Sequence, residues 1–131
     1  MVRMRVSKKY GGVLLIDIKS DSFLLGQRSK NTTFANAWSL FGGTIEEGET
    51  VLEGVKRELY EETKIKSDNI VFKLFEIQTD MGHPYYFYIG FCDGKLKCEI
   101  NDESQNWGWF TMENLPEPLF PTLYSSLVRI F

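Results

Sequence analysis

Apolar residues follow two different spacings along this chain, and the changes between them mark out its elements. From Tyr10 to Ile18 they run almost unbroken through Val13, Leu14, Leu15 and Ile16, the pattern of a strand buried on both faces. Lys19-Ser20-Asp21-Ser22 interrupts the run, and Phe23 to Gln27 predicts its hairpin partner. Ser29 to Ala37 is polar and without period, so a loop is expected there. Trp38 to Phe41 predicts a short strand that ends at Gly42-Gly43, where the backbone must turn sharply or admit a close neighbour. From Thr50 the spacing changes to threes and fours, and Leu52, Val55 and Leu59 form the single stripe of an amphipathic helix. Thr50 and Glu53 stand at the Ser/Thr-x-x-Glu spacing at which each side chain caps the other's backbone N–H, so the helix begins at Thr50.

Strand patterns return over Ile70 to Gln78 and Tyr85 to Phe91, joined through residues 79–84. Lys95 to Ile100 is expected to extend the sheet, and Trp107 to Phe110 predicts a short last strand. Pro116, Pro118 and Pro121 break the chain before a final helix from about Thr122 to Ile130, on which Leu123, Leu127 and Ile130 share a face. The order strands, helix, strands, helix predicts an α/β fold, a mixed sheet covered by helices. At 131 residues there is room for one domain, and no repeat or Pro/Gly/Ser linker divides it.

Composition adds exclusions. With 43% hydrophobic and 25% charged residues the chain has the balance of a globular domain, which excludes whole-chain disorder or a fibre. The longest apolar run near the start, Val13 to Ile16, falls far short of the roughly 18 residues of a membrane span. No signal peptide precedes it, so a cytoplasmic location away from membranes is expected. A tight turn at Asp93-Gly94 would not bring Cys92 opposite Cys98, so no disulfide is implied. Two cysteines and one histidine argue against structural zinc. A net charge of −3 is too mild to coat nucleic acid, but its distribution is uneven. Between Glu46 and Glu62 lie seven glutamates against only Lys56 and Arg57, a local charge of −5, so the remainder of the chain is +2.

Within that segment Glu58, Glu61 and Glu62 are spaced i, i+3 and i+4, which sets three carboxylates on one side of the helix, bordering the Leu52/Val55/Leu59 stripe. Like charges at this spacing repel, and near a helix C-terminus they also oppose the macrodipole. The arrangement costs stability unless a cation sits there, and an oxygen-only ligand set suits Mg²⁺ or Mn²⁺. On an arbitrary helix a solvated face, with Lys56 and Arg57 pairing locally, would be the ordinary explanation.

The surrounding residues change those odds. Gly43, Glu49 and the run Arg57-Glu58-Leu59-Tyr60-Glu61-Glu62-Thr63-Lys64-Ile65 together resemble the signature box of the Nudix (MutT-like) hydrolases, G-x5-E-x7-R-E-U-x-E-E-x-G-U with U aliphatic. Every polar position of that pattern is filled at the right spacing. Lys64 replaces a glycine that resembles a left-handed helix cap, and Phe41 stands where proline is common, a change expected to affect only the turn. Segments similar to those of family members also occur at Gly11 to Leu15, Leu24 to Arg28, Trp38 to Gly43 and Trp109 to Pro116. The resemblance thus covers nearly the whole chain and implies one Nudix-type α/β/α sandwich domain over residues 1–131, with its box at 43–65.

What this resemblance implies is a Mg²⁺- or Mn²⁺-dependent hydrolase that cleaves the diphosphate linkage of a nucleoside diphosphate joined to another group. By carry-over, Glu58, Glu61 and Glu62 ligate the metal directly or through water, and Glu58 and Glu61 serve in catalysis. The Gly42 carbonyl adds a ligand, and Glu49 pairs with Arg57 to hold loop and helix in register. Glu103, six residues before Trp109, is a candidate second-metal ligand or general base, weighed against being one more solvated loop acid beside Glu99 and Asp102. Arg28 and Gly43 are candidates for holding the substrate's phosphates, and Trp38 for stacking on a base. Tyr85 and Trp107 are further aromatic candidates, Trp109 is assigned to the core, and His83 is a lone loop histidine.

The implied partner is a small nucleotide taken by a monomer or a homodimer. Two alternatives compete. An enzyme acting on RNA 5′ ends would need a basic groove, for which Arg3, Arg5, Lys8 and Lys9 give only a short basic N-terminus. A non-catalytic ligand-sensing domain would be marked by loss of a box glutamate, and none is lost. Family members that prefer ADP-ribose carry a proline about 16 residues after the box, and dinucleoside polyphosphate enzymes a tyrosine at about 17–18. Those offsets fall here on Met81 and Gly82, with Pro84 and Tyr85 slightly later, which leaves nucleoside triphosphates and nucleotide sugars open.

Overall fold

Strand β1 (Tyr10–Asp17) lies at the middle of the molecule, and its side chains alternate between two cores. Val13 and Leu15 pack with Val55 and Leu59 of helix α1 (Val51–Thr63) on one face of the sheet. Leu14 and Ile16 pack with Leu123 and Leu127 of helix α2 (Leu123–Ile130) on the other. Both faces of β1 are therefore covered, which is why its sequence shows an apolar run rather than an alternation. The computed structural model describes residues 8–131. Among them the remaining strands are β2 (Ser22–Arg28), β3 (Trp38–Ser39), β4 (Phe41–Thr44), β5 (Val71–Asp80), β6 (His83–Cys92) and β7 (Ser104–Phe110).

These form a seven-stranded sheet in the order β3-β2-β1-β6-β5, with β4 pairing β1 and β7 pairing β2. The β1–β6 pair is parallel and the others antiparallel, so the sheet is mixed and lies between α1 and α2, the expected α/β/α layering. Helix α1 begins as its sequence predicts, with the Thr50 and Glu53 side chains each accepting from the other's backbone N–H. Its stripe is shifted, however: Val55 and Leu59 are fully buried and Val51 packs beside them, while Leu52 lies at the border. Lys64 ends the helix at φ 62, so a lysine holds the left-handed position where the family pattern has glycine.

Five expectations need correction. The stretch from Trp38 to Phe41 is two strands rather than one, because the chain leaves β2 after Ser39 and joins β1 from Phe41 onward. It does not end at the glycine pair: Gly42 and Gly43 lie within β4, opposite Gly12 and Gly11. The close approach is real, since a Cβ on Gly42 would lie 2.2 Å from the Gly11 carbonyl oxygen. Phe41 affects more than a turn, because its buried ring occupies the space over Gly26, where a Cβ would lie 2.5 Å from it.

The link between the two long strands is only Met81-Gly82, both at positive φ (51° and 81°), which gives the twist a two-residue hairpin needs. Finally, residues 95–100 are not a strand. They leave the sheet and dock on the end of α1, where the Glu99 N–H donates to the Thr63 carbonyl at 2.8 Å. Cys98 is buried against the core, and the Trp109 indole N–H donates to the Leu96 carbonyl at 2.9 Å. Cys92 and Cys98 are both buried free thiols.

Candidate metal centre and substrate cavity

The stripe that buries Val55 and Leu59 continues one turn further to Glu62, so the packing of α1 carries a carboxylate into the protein. Glu62 is 7% exposed, and its Oε2 is buried without a hydrogen-bond partner. One carboxylate oxygen from each of Glu58, Glu62 and Glu103 lies within 4.8 Å of the others. Burial first, and then the charges of Glu58 and Glu103, push the Glu62 carboxyl up to about 9. Burial also raises Glu58, outweighing the opposing pull of Arg57. A buried acceptor with no donor, surrounded by oxygen-only neighbours of like charge, fits a hard divalent cation such as Mg²⁺ or Mn²⁺. Glu103 is thus brought to the box glutamates, whereas Asp102 and Glu99, also exposed, are not in that cluster.

The three box carboxylates do not converge as their spacing suggests. Glu61 is exposed and turns to Arg57, whose Nη1 donates to it at 3.1 Å. Arg57 organises this side of the helix. Its Nε and Nη2 donate to the two Glu49 oxygens at 3.1 and 2.8 Å, its Nη2 also reaches the Thr44 carbonyl at 3.0 Å, and its Nη1 reaches Glu58 at 3.2 Å. This two-pronged pairing lowers the Glu49 carboxyl below its usual range and ties the loop before α1, the end of β4 and the helix together. Gly43 has a steric part in the same place: a Cβ there would lie 2.8 Å from both Glu58 carboxylate oxygens.

A cavity of about 490 Å³ adjoins the acids, lined by Gly42, Gly43, Glu62 and Glu103 and by Arg28, Tyr85 and Gln78. Arg28 lines this cavity, but part of its guanidinium is already used. Its Nε donates to the Thr33 carbonyl at 2.6 Å and its Nη2 to the Thr33 hydroxyl at 3.1 Å. Trp38 does not line the cavity. It packs edge-on against Phe110 in the α2-side core, because its backbone exchanges hydrogen bonds with Pro118 and Phe120 and the next residue, Ser39, takes the cavity-facing position. The aromatic residues that line the cavity include the expected Tyr85 and the unexpected Phe34 and Phe120, whose ring centroids are 4.8 Å apart. Neither carries a periodic signal: Phe34 sits in a polar loop with φ 53, and Phe120 between prolines. Trp107 and Trp109 pack against the α1-side core, and His83 rests edge-on against Tyr10.

A mixed sheet between two helices, with a cluster of glutamate carboxylates beside a cavity, defines an α/β/α protein whose acidic cluster has the donor set of a hard divalent cation. The NUDIX domain family model matches residues 9–129, and the chain belongs to that family. Among curated relatives, it is 29% identical over 116 residues to the mouse oxidized purine nucleoside triphosphate hydrolase, covering 86% of this chain and 72% of that protein. It is 34% identical over 109 residues to the ADP-ribose pyrophosphatase of Methanocaldococcus jannaschii, covering 79% and 63%. The chain spans as little as 25% of the length of another relative. Among solved structures, a C. elegans Ap4A hydrolase binary complex superposes with a TM-score of 0.77 at 20% identity, over 93% of this chain and 94% of that one.

Proposed function

We propose that this protein is a Mg²⁺- or Mn²⁺-dependent hydrolase that cleaves the diphosphate linkage of a nucleoside diphosphate joined to another group, with a nucleoside triphosphate or a nucleotide sugar as substrate. The observation that carries the reading is the buried, unpartnered Oε2 of Glu62, set beside Glu58 and Glu103 and lining the cavity. The two curated relatives support it, since each is named for a nucleotide substrate that contains a diphosphate. A bound divalent cation would offset the repulsion between carboxylates and phosphates, polarise the attacked phosphorus and lower the pKa of a water.

This chain's residues then divide the work. Glu58 and Glu62 would hold the cation, with the Gly42 carbonyl as a further candidate ligand, while Glu61, paired with Arg57, would add negative charge beside the site. Glu103, exposed at the cavity, either completes the ligand set or accepts the proton of the attacking water. Glu49 and Arg57 keep loop and helix in register, Arg28 and the Gly43 backbone face the phosphates, and the Phe34 and Phe120 rings face the base.

The test is a panel of nucleoside triphosphates, nucleotide sugars and dinucleotides assayed for phosphate or pyrophosphate release with Mg²⁺ and with a chelator. Metal-dependent release from a triphosphate or nucleotide sugar is expected. No release from any member of the panel would overturn the reading.

A further inference from the structure

Residues 101–103 have little apolar anchorage, yet they are tied down from two sides. Asn101 uses both ends of its amide: Nδ2 donates to the Glu61 backbone carbonyl at 3.2 Å, and Oδ1 accepts from the Glu103 N–H at 3.0 Å. From the other side, the Ser29 N–H donates to the Glu103 carbonyl at 3.1 Å and its hydroxyl to the Asp102 carbonyl at 2.7 Å. The backbone of Glu103 is therefore fixed at both its N–H and its C=O. The first tether leads to α1 between Glu58 and Glu62, and the second to the loop that carries Phe34.

We infer that Asn101 is a positioning residue that holds the exposed Glu103 in the carboxylate cluster by linking its backbone to helix α1. The inference rests on the reading of Glu58, Glu62 and Glu103 as a cation site. Without the link, Glu103 would spend chain entropy each time it joined the other two carboxylates. Asn101 touches none of the carboxylates itself in the bonds described, so its effect passes through Glu103. Ser29 holds the same segment from the other side, through its backbone N–H on the Glu103 carbonyl and its hydroxyl on the Asp102 carbonyl.

Mn²⁺ binding to the whole chain, followed by titration calorimetry or electron paramagnetic resonance, tests this in a double-mutant cycle. Asn101→Ala is expected to weaken Mn²⁺ binding about ten-fold, the usual scale for losing a residue that orients a ligand. In the Glu103→Gln background the same substitution is expected to have no further effect. Equal weakening in both backgrounds, or no weakening in the native one, overturns the inference. If Asn101→Ala does not fold, Asn101→Ser, whose side chain is too short to reach both the Glu61 carbonyl and the Glu103 N–H, is the substitute, with a loss in the same direction expected and no loss overturning the inference. Glu62→Gln measured in parallel separates the two levels. If it weakens Mn²⁺ binding and Glu103→Gln does not, only the role of Asn101 fails; if neither does, the cation site itself fails.

Discussion

Glu62 shows how a single residue can be legible in the sequence for one reason and important for another. Its spacing from Glu58 marks a carboxylate pair on one helix side, but its burial follows from continuing the Val55-Leu59 stripe by one turn. Without metal its carboxyl is raised to about 9 from the ordinary 4.5, so the unfolded chain ionises first. The contribution of this one group to stability is then fully present below about 4.5 and is lost as pH rises toward about 9. The metal-free melting temperature is expected to fall between pH 6 and pH 9, and Glu62→Gln to flatten that decline. Parallel pH profiles in the two proteins would contradict it.

Arg57 makes a second prediction at this scale. Arg57→Lys keeps the charge but cannot reach both Glu49 oxygens, the Thr44 carbonyl and Glu58 together, so a loss of about 1–3 kcal/mol in chemical denaturation is expected. The Glu49 and Arg57 pairing was readable from the box pattern, and Tyr85 from the aromatic candidates, whereas Phe34 and Phe120 were not. Trp38 has the composition of a stacking residue and the register of a core residue, and no sequence pattern distinguishes them where a strand is two residues long.

Among the elements, α1 was the most legible because caps and period are local properties. Its stripe starts at Val51 rather than Leu52, and at its end Lys64 takes the left-handed conformation at a cost. Lys64→Gly is expected to stabilise the protein by about 0.5–1 kcal/mol, a rise of roughly 2–6 °C in Tm, although it gives up the contact of Lys64 Nζ with the Tyr60 ring. Residues 95–100 were misread as a strand because their partner is the last turn of α1, and nothing local announces a helix end 36 residues upstream in the Glu99 to Thr63 bond.

Helix α2, packed on the sheet through Leu123 and Leu127, is also tied to it by the two-pronged pairing of Arg129 with Glu76 of β5. Arg129 first, and the Gln78 amide second, lower the Glu76 carboxyl to about 2 from 4.5. The stability this contributes is present above about 4.5 and disappears as pH falls toward about 2. Glu76→Gln is expected to lower Tm at pH 6 and to match the parent protein near pH 2; an equal deficit at both would contradict the assignment.

For the whole molecule, the net charge of −3 conceals a division of labour. The −5 segment contributes Glu62 to the cavity wall, and Arg28, from the positive remainder, lines the same cavity. A cation bound among Glu58, Glu62 and Glu103 relieves their repulsion and stabilises only the folded state, so its effect must appear in the unfolding transition. The most direct test is Tm at pH 8 with and without millimolar Mg²⁺, in the native protein and in Glu62→Gln. The expected result is a rise of several degrees in the native protein that is largely lost in the variant, and an equal shift in both, or none in either, would contradict a metal site at these carboxylates.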